Sequence, residues 1–190
     1  IKSSSLDVVS NVMEHGGTKY LFLVNDKRTY SQRFGDCEYC KAMLDDFESQ
    51  DVEIELLGDN KSKYAYDMLE KDIIDVAEGK FKTRLDDRGG KIVALADQKL
   101  SELAVNVPEE VKRGKHLIIT VTLYDDTGAC FDGAVPLKIE LKDPKGNSAA
   151  ISGYYAASDG AKAVSFTPAL NDIEGKWSFK VTELFTNKSE

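Results

Sequence analysis

One stretch decides the fold: residues 116–128 read HLIITVTLYDDTG. Core-type apolar residues recur at every second position from Leu117 to Leu123, which is the pattern of a β-strand with one face in a core. The run ends at Asp125-Asp126-Thr127-Gly128, whose residue types favour a tight turn. The stretch therefore predicts an antiparallel strand followed by a reversal of the chain.

The same signals repeat on the C-terminal side of this stretch. Val135–Leu141 reads as a strand and stops at Asp143-Pro144-Lys145-Gly146, a typical turn sequence. Three further strands are predicted: Ala149–Tyr155, Ala161–Phe166 and Lys176–Thr182. Short strands at this spacing predict an immunoglobulin-like β-sandwich over residues 101–187. Trp177 is expected to begin the last strand as a core residue.

The N-terminal half reads as a second all-β domain, residues 1–98. Lys19–Asn25 (KYLFLVN) is almost continuously apolar, which favours a central strand buried on both faces. Asp51–Leu57 (DVEIELL) alternates, and hairpins follow as far as Ala96. Cys40–Phe47 fits a helical turn or an irregular strand equally well. The chain is thus predicted to be all-β, with two antiparallel β-sandwich domains in tandem.

Composition and charge limit the classes of partner that the chain is expected to bind. Hydrophobic residues make up 42% and charged residues 31% of the 190, as in ordinary globular proteins. The net charge is -8, with 15 basic and 20 acidic residues before residue 101 and 10 and 13 after it. Neither half has the positive stripe that phosphate recognition requires, so nucleic acid is not expected as a partner. No apolar run approaches the ~20 residues of a membrane span, so membrane insertion is not expected either.

Few residues suggest chemistry. Cys37 and Cys40 form a C-x-x-C, but the β context favours a loop disulfide or two free thiols over a redox site. Zinc would need four ligands, and Cys130, His15 and His116 are scattered. Paired acids, such as those at 125–126, read as turn formers rather than as glycosidase carboxylates. We therefore expect no catalytic residue, no cofactor and no metal.

The eight tyrosines raise a second possibility. Carbohydrate-binding modules present aromatic faces on an exposed platform. Tyr154 and Tyr155 are adjacent, so on a strand one of the two rings must point outward. They are the candidate residues for stacking on a sugar, although tyrosines that fill core and edge positions of strands are the simpler expectation.

The order of motifs resembles one family. The segment GGTKYLFLVNDKRTY (Gly16–Tyr30), followed by GGKIVAL (Gly89–Leu95), resembles the all-β domain after the catalytic barrel in large bacterial β-galactosidase-like glycoside hydrolase proteins of planctomycetes and their relatives. The second half, with SGYY (Ser152–Tyr155) and NDIEGKWSFKVTEL (Asn171–Leu184), is similar to the immunoglobulin-like or macroglobulin-like module that comes next.

The resemblance implies a non-catalytic role. The family's catalytic carboxylates lie on the barrel, so none falls on this chain, and the chain is expected to be a piece that supports or spaces a catalytic domain N-terminal to it. Two alternatives stay open: a carbohydrate-binding module, and an immunoglobulin-like adhesion or partner-binding module.

Overall fold

The computed structural model describes residues 1–28 and 47–190, and they form an all-β protein. No α-helix occurs among them; the only helical element is a single 3-10 turn at Gly58–Asn60. The strands are β1 (Lys2–Ser3), β2 (Val8–His15), β3 (Thr18–Asn25), β4 (Gln50–Glu55), β5 (Tyr64–Asp67), β6 (Asp72–Ile74), β7 (Lys80–Leu85), β8 (Gly90–Ala96), β9 (Leu100–Asn106), β10 (Leu117–Asp125), β11 (Val135–Lys142), β12 (Gly153–Ala157), β13 (Ala161–Phe166) and β14 (Ser178–Glu183). No helix long and apolar enough to cross a membrane is found in these two ranges.

The chain divides into two compact units. The first comprises Ile1–Glu14 and Lys19–Asp97, and the second comprises His15–Thr18 and Gln98–Glu190. In the first unit, five strands form a sheet in the order β2-β3-β8-β5-β6, and a second sheet has the order β1-β4-β7. In the larger sheet β8 pairs antiparallel with both β3 and β5, and in the smaller sheet β4 pairs antiparallel with β7.

The two sheets of the first unit enclose one core, as a sandwich does. Alternation along each strand sends every second side chain inward. The buried cluster consists of Leu21, Leu23, Ala65, Val93 and Leu95 from the larger sheet, and Val52, Ile54, Leu56, Phe81 and Leu85 from β4, β7 and the residue after β4. The strand predicted over Lys19–Asn25 is confirmed as β3, but its expected burial on both faces is wrong. Leu21 and Leu23 face the core, whereas Tyr20 and Phe22 on the other face are half-buried and Val24 is exposed.

One end of this core is closed by buried amides. The Asn25 side-chain N–H₂ donates to the carbonyl oxygens of Glu48 and Asp86 at 2.8 and 2.7 Å. Its Oδ1 accepts from Gln50 Nε2 at 2.7 Å. These contacts satisfy polar groups that would otherwise be costly to bury, and they fix β3 against the start of β4.

The second unit is a sandwich of two sheets, ordered β13-β10-β9 and β12-β11-β14. The central strands β10 and β11 each alternate strictly, with core-facing residues at most 9% exposed. Gly160, at φ +70°, lies so close to the backbone of Phe131 that an added Cβ would fall 2.7 Å from its carbonyl oxygen. Only glycine fits this position without displacing β10's neighbouring loop.

The all-β, sandwich-type prediction is confirmed, and several local expectations are refined. The turn at Asp125–Gly128 forms, with the Gly128 N–H donating to the Asp125 carbonyl at 3.2 Å. The strand predicted from Ala149 instead begins at Gly153. The prediction that Trp177 begins the last strand as a core residue is wrong, because Trp177 precedes β14 and is only half-buried. The predictions about Cys37, Cys40 and most of Cys40–Phe47 lie outside the described residues.

Candidate interaction surfaces

Tyr154 and Tyr155 lie on opposite faces of β12. Tyr154 is 74% exposed and stands opposite Lys138 on β11. Tyr155 is half-buried; its hydroxyl donates to the Ile151 carbonyl at 2.6 Å, and the Lys162 ammonium lies 5.5 Å from its ring centroid. The two rings therefore cannot form one platform, and Tyr154 alone presents an open aromatic face.

Two loops at one end of the second sandwich hold a group of exposed apolar side chains. The loop between β9 and β10 carries Val111, and the loop between β13 and β14 carries Leu170 and Ile173. These three side chains are 41%, 78% and 38% exposed, and we call them the loop patch. Apolar side chains scattered singly over a surface are ordinary, whereas a group on adjoining loops is typical of an interaction site.

Hydrogen bonds brace the two loops against each other. The Gly114 N–H donates to the Pro168 carbonyl at 2.7 Å, and the Arg113 guanidinium donates to the Asp172 carbonyl at 3.2 Å and pairs with Glu174 at 2.5 Å. Leu170 Cδ2 lies only 3.1 Å from where a Cβ on Gly114 would be. The loop patch is thus held on a connected frame, as binding loops on a rigid scaffold are.

Trp177 supports the same end of the sandwich. Its indole N–H donates to the Ile173 carbonyl at 3.1 Å, and its ring packs against Phe166 with centroids 5.8 Å apart. The ring pair ties the loop that carries Ile173 to the last residue of β13.

The first unit also exposes apolar residues, on the outer face of its five-stranded sheet. Val8 and Val12 of β2 pack on the core, so Val9 and Met13 point to the opposite face. Val24 of β3 shares that face because Leu23 points inward. These three side chains, the outer stripe, are each at least half exposed. On the same face burial raises the pKa of Tyr20 to about 12.

Asp125 and Asp143, both in turns predicted from the sequence, hold those turns with their carboxylates. The Asp125 carboxylate accepts from the N–H groups of Thr127 and Ala129 and from the Thr127 hydroxyl, and this hydroxyl bond with the two N–H bonds lowers the Asp125 pKa. Asp143 is held in the same way by Asn147, and its pKa is also lowered. Within residues 1–28 and 47–190, no three His, Cys, Asp or Glu side chains form a group that could hold a metal ion.

Among the described residues, the two histidines and the third cysteine belong to no group of side chains that could hold a metal ion. His15 and His116 are both exposed, and His116 Nδ1 lies 3.2 Å from Thr167 Oγ1. Cys130 is a free, exposed thiol in the loop after β10.

Sequence reasoning missed the loop patch. Val111 and Leu170 are 59 positions apart, and neither belongs to a predicted strand. Periodicity identifies strands, and it carries no information about which two loops meet at the end of a sandwich.

Comparisons with known proteins add no relative: no family model, no curated protein and no solved structure matches this chain.

Proposed function

We propose that this chain is a pair of non-catalytic accessory β-sandwich modules of a larger glycoside hydrolase-like protein, and that the modules dock against a neighbouring domain. The proposed parent protein rests on the resemblance in the order of the sequence motifs. The main support for docking is the loop patch, where Val111, Leu170 and Ile173 are exposed on two hydrogen-bonded loops.

Burial of such a patch would be favourable. Covering apolar surface contributes roughly 25 cal/mol per Å² removed from water, and a frame that is already ordered loses little conformational entropy on binding. Arg113 and Glu174 beside the patch give it the polar rim that specific interfaces have. The outer stripe of the first unit offers a second apolar surface.

Carbohydrate binding is the second candidate, and it rests on the exposed Tyr154 ring. One aromatic face provides a single stacking contact, whereas the loop patch provides three apolar groups on one frame. We therefore favour docking over sugar binding, and the experiment below measures both.

The test compares the isolated chain with the complete gene product that contains it. The complete product is expected to hydrolyse aryl glycosides, and the isolated 190 residues are expected to show neither hydrolysis nor a change in Trp177 fluorescence with polysaccharides. In the complete product, Leu170→Asp with Ile173→Asp should lower the melting temperature of the catalytic domain by several degrees. Leu57→Asp, at a 43% exposed residue of the first unit, is the matched control.

Hydrolysis by the isolated chain, or a complete product without a catalytic barrel, would overturn the proposal. Saturable sugar binding that Tyr154→Ala abolishes would replace docking with the carbohydrate-binding alternative.

A further inference from the structure

The sheet β13-β10-β9 of the second unit has an outer face that lacks charged side chains over most of its length, and we call this surface the neutral face. Along β10, Leu117 and every second residue to Leu123 are buried, so the residues between them point outward. The outward residues of β13 and β9 lie beside them in register. The neutral face consists of Ile118, Thr120 and Thr122 of β10, Ala161, Ala163 and Ser165 of β13, and Ala104 and Asn106 of β9, each of them exposed or half-buried.

The outer face of the other sheet in this unit is charged. Its central strand β11 presents Lys138, Glu140 and Lys142 there, and the neighbouring β14 presents Lys180 opposite Glu140. Such side chains oppose close packing, because a charge is costly to remove from water. The short uncharged side chains of the neutral face lose much less hydration when they are covered. Of the two outer faces, the neutral face is therefore the one suited to packing against another sheet.

The shape of the neutral face is self-complementary about Thr120. Ile118, a large apolar side chain that is 56% exposed, lies two residues to one side of Thr120. Two residues to the other side, Thr122 stands between Ala161 and Ala104, whose small side chains leave a hollow. A two-fold axis that runs across the strands at Thr120 reverses the strand direction. It therefore places Ile118 of each copy over the hollow of the other.

The two ends of the neutral face also match under this axis. His116 lies two residues beyond Ile118, and at the opposite end Tyr124 stands opposite Glu102 of β9. The axis brings the exposed His116 of one copy to the end where the other copy exposes Glu102. With Nδ1 accepting from the Thr167 hydroxyl, 3.2 Å away, His116 carries its proton on Nε2 and can donate to that carboxylate.

The size of the neutral face suits a reversible dimer. Three strands about 4.8 Å apart, each contributing about seven residues of about 3.4 Å, span roughly 14 by 24 Å. Two copies together then bury on the order of 1,000 Å² of accessible surface, which is the size of weak, transient interfaces. Because two copies of a chain with net charge -8 repel each other, their contact is least opposed where the surface carries no charge.

We propose that the neutral face binds the neutral face of a second copy of this chain, with β10 of one copy antiparallel to β10 of the other across the two-fold axis. The occupant is a second copy because Ile118 and the hollow at Thr122 lie equally far from Thr120 on opposite sides. An unrelated partner does not require this symmetry, whereas a two-fold dimer does. The inference is independent of the proposed docking function, which concerns the loop patch.

Sedimentation velocity of the 190-residue chain, measured from micromolar to millimolar concentration, is the direct test. The sedimentation coefficient should rise with concentration from that of a monomer to that of a dimer. Ile118→Lys should weaken dimerisation by about tenfold or more, because it places two like charges in the contact. Tyr154→Lys, at a 74% exposed residue on the outer face of the other sheet, is the matched control and should leave dimerisation unchanged.

A cross-linking experiment tests the axis itself and does not depend on the stability of the Ile118 variant. In a chain whose three native cysteines are replaced by serine, Thr120→Cys should give covalent dimers with a short bis-maleimide. Tyr154→Cys in the same background should give none. A chain that stays monomeric at every concentration and yields no Thr120→Cys dimers would overturn the proposal. Dimers that tolerate Ile118→Lys, or that cross-link through Tyr154→Cys and not Thr120→Cys, would overturn it as well, since the copies would then meet through another surface.

Discussion

In the first unit, Asp67 and Lys91 form an ion pair at a position where an apolar contact would be usual. The Asp67 carboxylate is almost fully buried and accepts from the N–H groups of Leu69 and Glu70 and from the Lys91 ammonium at 2.5 Å. Lys91 also reaches Glu70 at 2.7 Å. Because each polar group has partners, the burial of this pair is tolerated.

The pair sets a pH window for stability. Burial raises the pKa of Asp67, but the bonds from Lys91 and from two backbone N–H groups outweigh it, so the pKa lies below 3.8. Burial lowers the pKa of Lys91, and its two carboxylate partners outweigh that, so the pKa lies above 10.5. The Asp67 contribution is therefore complete above pH 3.8 and lost as the pH falls further; the Lys91 contribution is complete below pH 10.5 and lost as the pH rises further.

We expect Asp67→Asn to lower the free energy of unfolding at pH 7 by about 1–3 kcal/mol, because the partly buried Lys91 ammonium loses the closer of its two carboxylate partners and keeps only Glu70. Urea unfolding followed by circular dichroism measures this. The difference from the wild type should shrink when the pH falls below 3.8. Asp75→Asn, at an exposed residue of the same unit, is the control. An unchanged difference at pH 3 would contradict the assignment.

At the scale of the element, the turn after β14 depends on one buried carboxylate. Glu183 is 1% exposed and stands opposite Leu137 on a core-facing position of β14. It accepts from the N–H groups of Phe185 and Lys188 at 2.8 and 2.9 Å and from the N–H and hydroxyl of Thr186. The carboxylate thus holds the reversal that returns the chain onto β14.

We expect Glu183→Gln to lower the free energy of unfolding by about 1–3 kcal/mol, since the amide replaces an acceptor oxygen with a donor facing other donors. For a unit of this size that corresponds to a fall in melting temperature of roughly 4–20 °C, followed by Trp177 fluorescence. Glu110→Gln, in an exposed loop, should change it little. A Glu183→Gln variant that melts with the wild type would show that the turn is held by its backbone alone.

Elements with a local signature were predictable from the sequence, and those made by distant contacts were not. β10 and the turn after it follow from alternation and turn residues within 13 positions. Glu183 lies in a strand pattern that carries no sign of the turn it holds. The side on which Tyr154 or Tyr155 points depends on the register with β11, and the loop patch depends on which loops meet. Both are tertiary properties, so single-sequence patterns could not supply them.

At the scale of the whole molecule, the two units differ in their prolines. All four prolines, at 108, 136, 144 and 168, lie in the second unit, as does Trp177. Peptide bonds before proline populate about 10–30% cis in unfolded chains and exchange over tens of seconds. Strand pairing in each unit is non-local, as between Lys19 and Leu95, which places the underlying folding in the range of about milliseconds to seconds.

We therefore expect refolding after long denaturation to show a phase of tens of seconds in Trp177 fluorescence, which a prolyl isomerase accelerates. Brief unfolding before refolding should remove this phase, because the prolines have no time to isomerise. Pulse-labelling hydrogen exchange read by mass spectrometry provides the matched control: amides of β3, β5 and β8 in the proline-free first unit should become protected without that phase. If Trp177 fluorescence recovers in seconds whatever the unfolding time, proline isomerisation does not limit folding of the second unit. If β3 acquires protection only in the slow phase, that phase is not confined to the second unit.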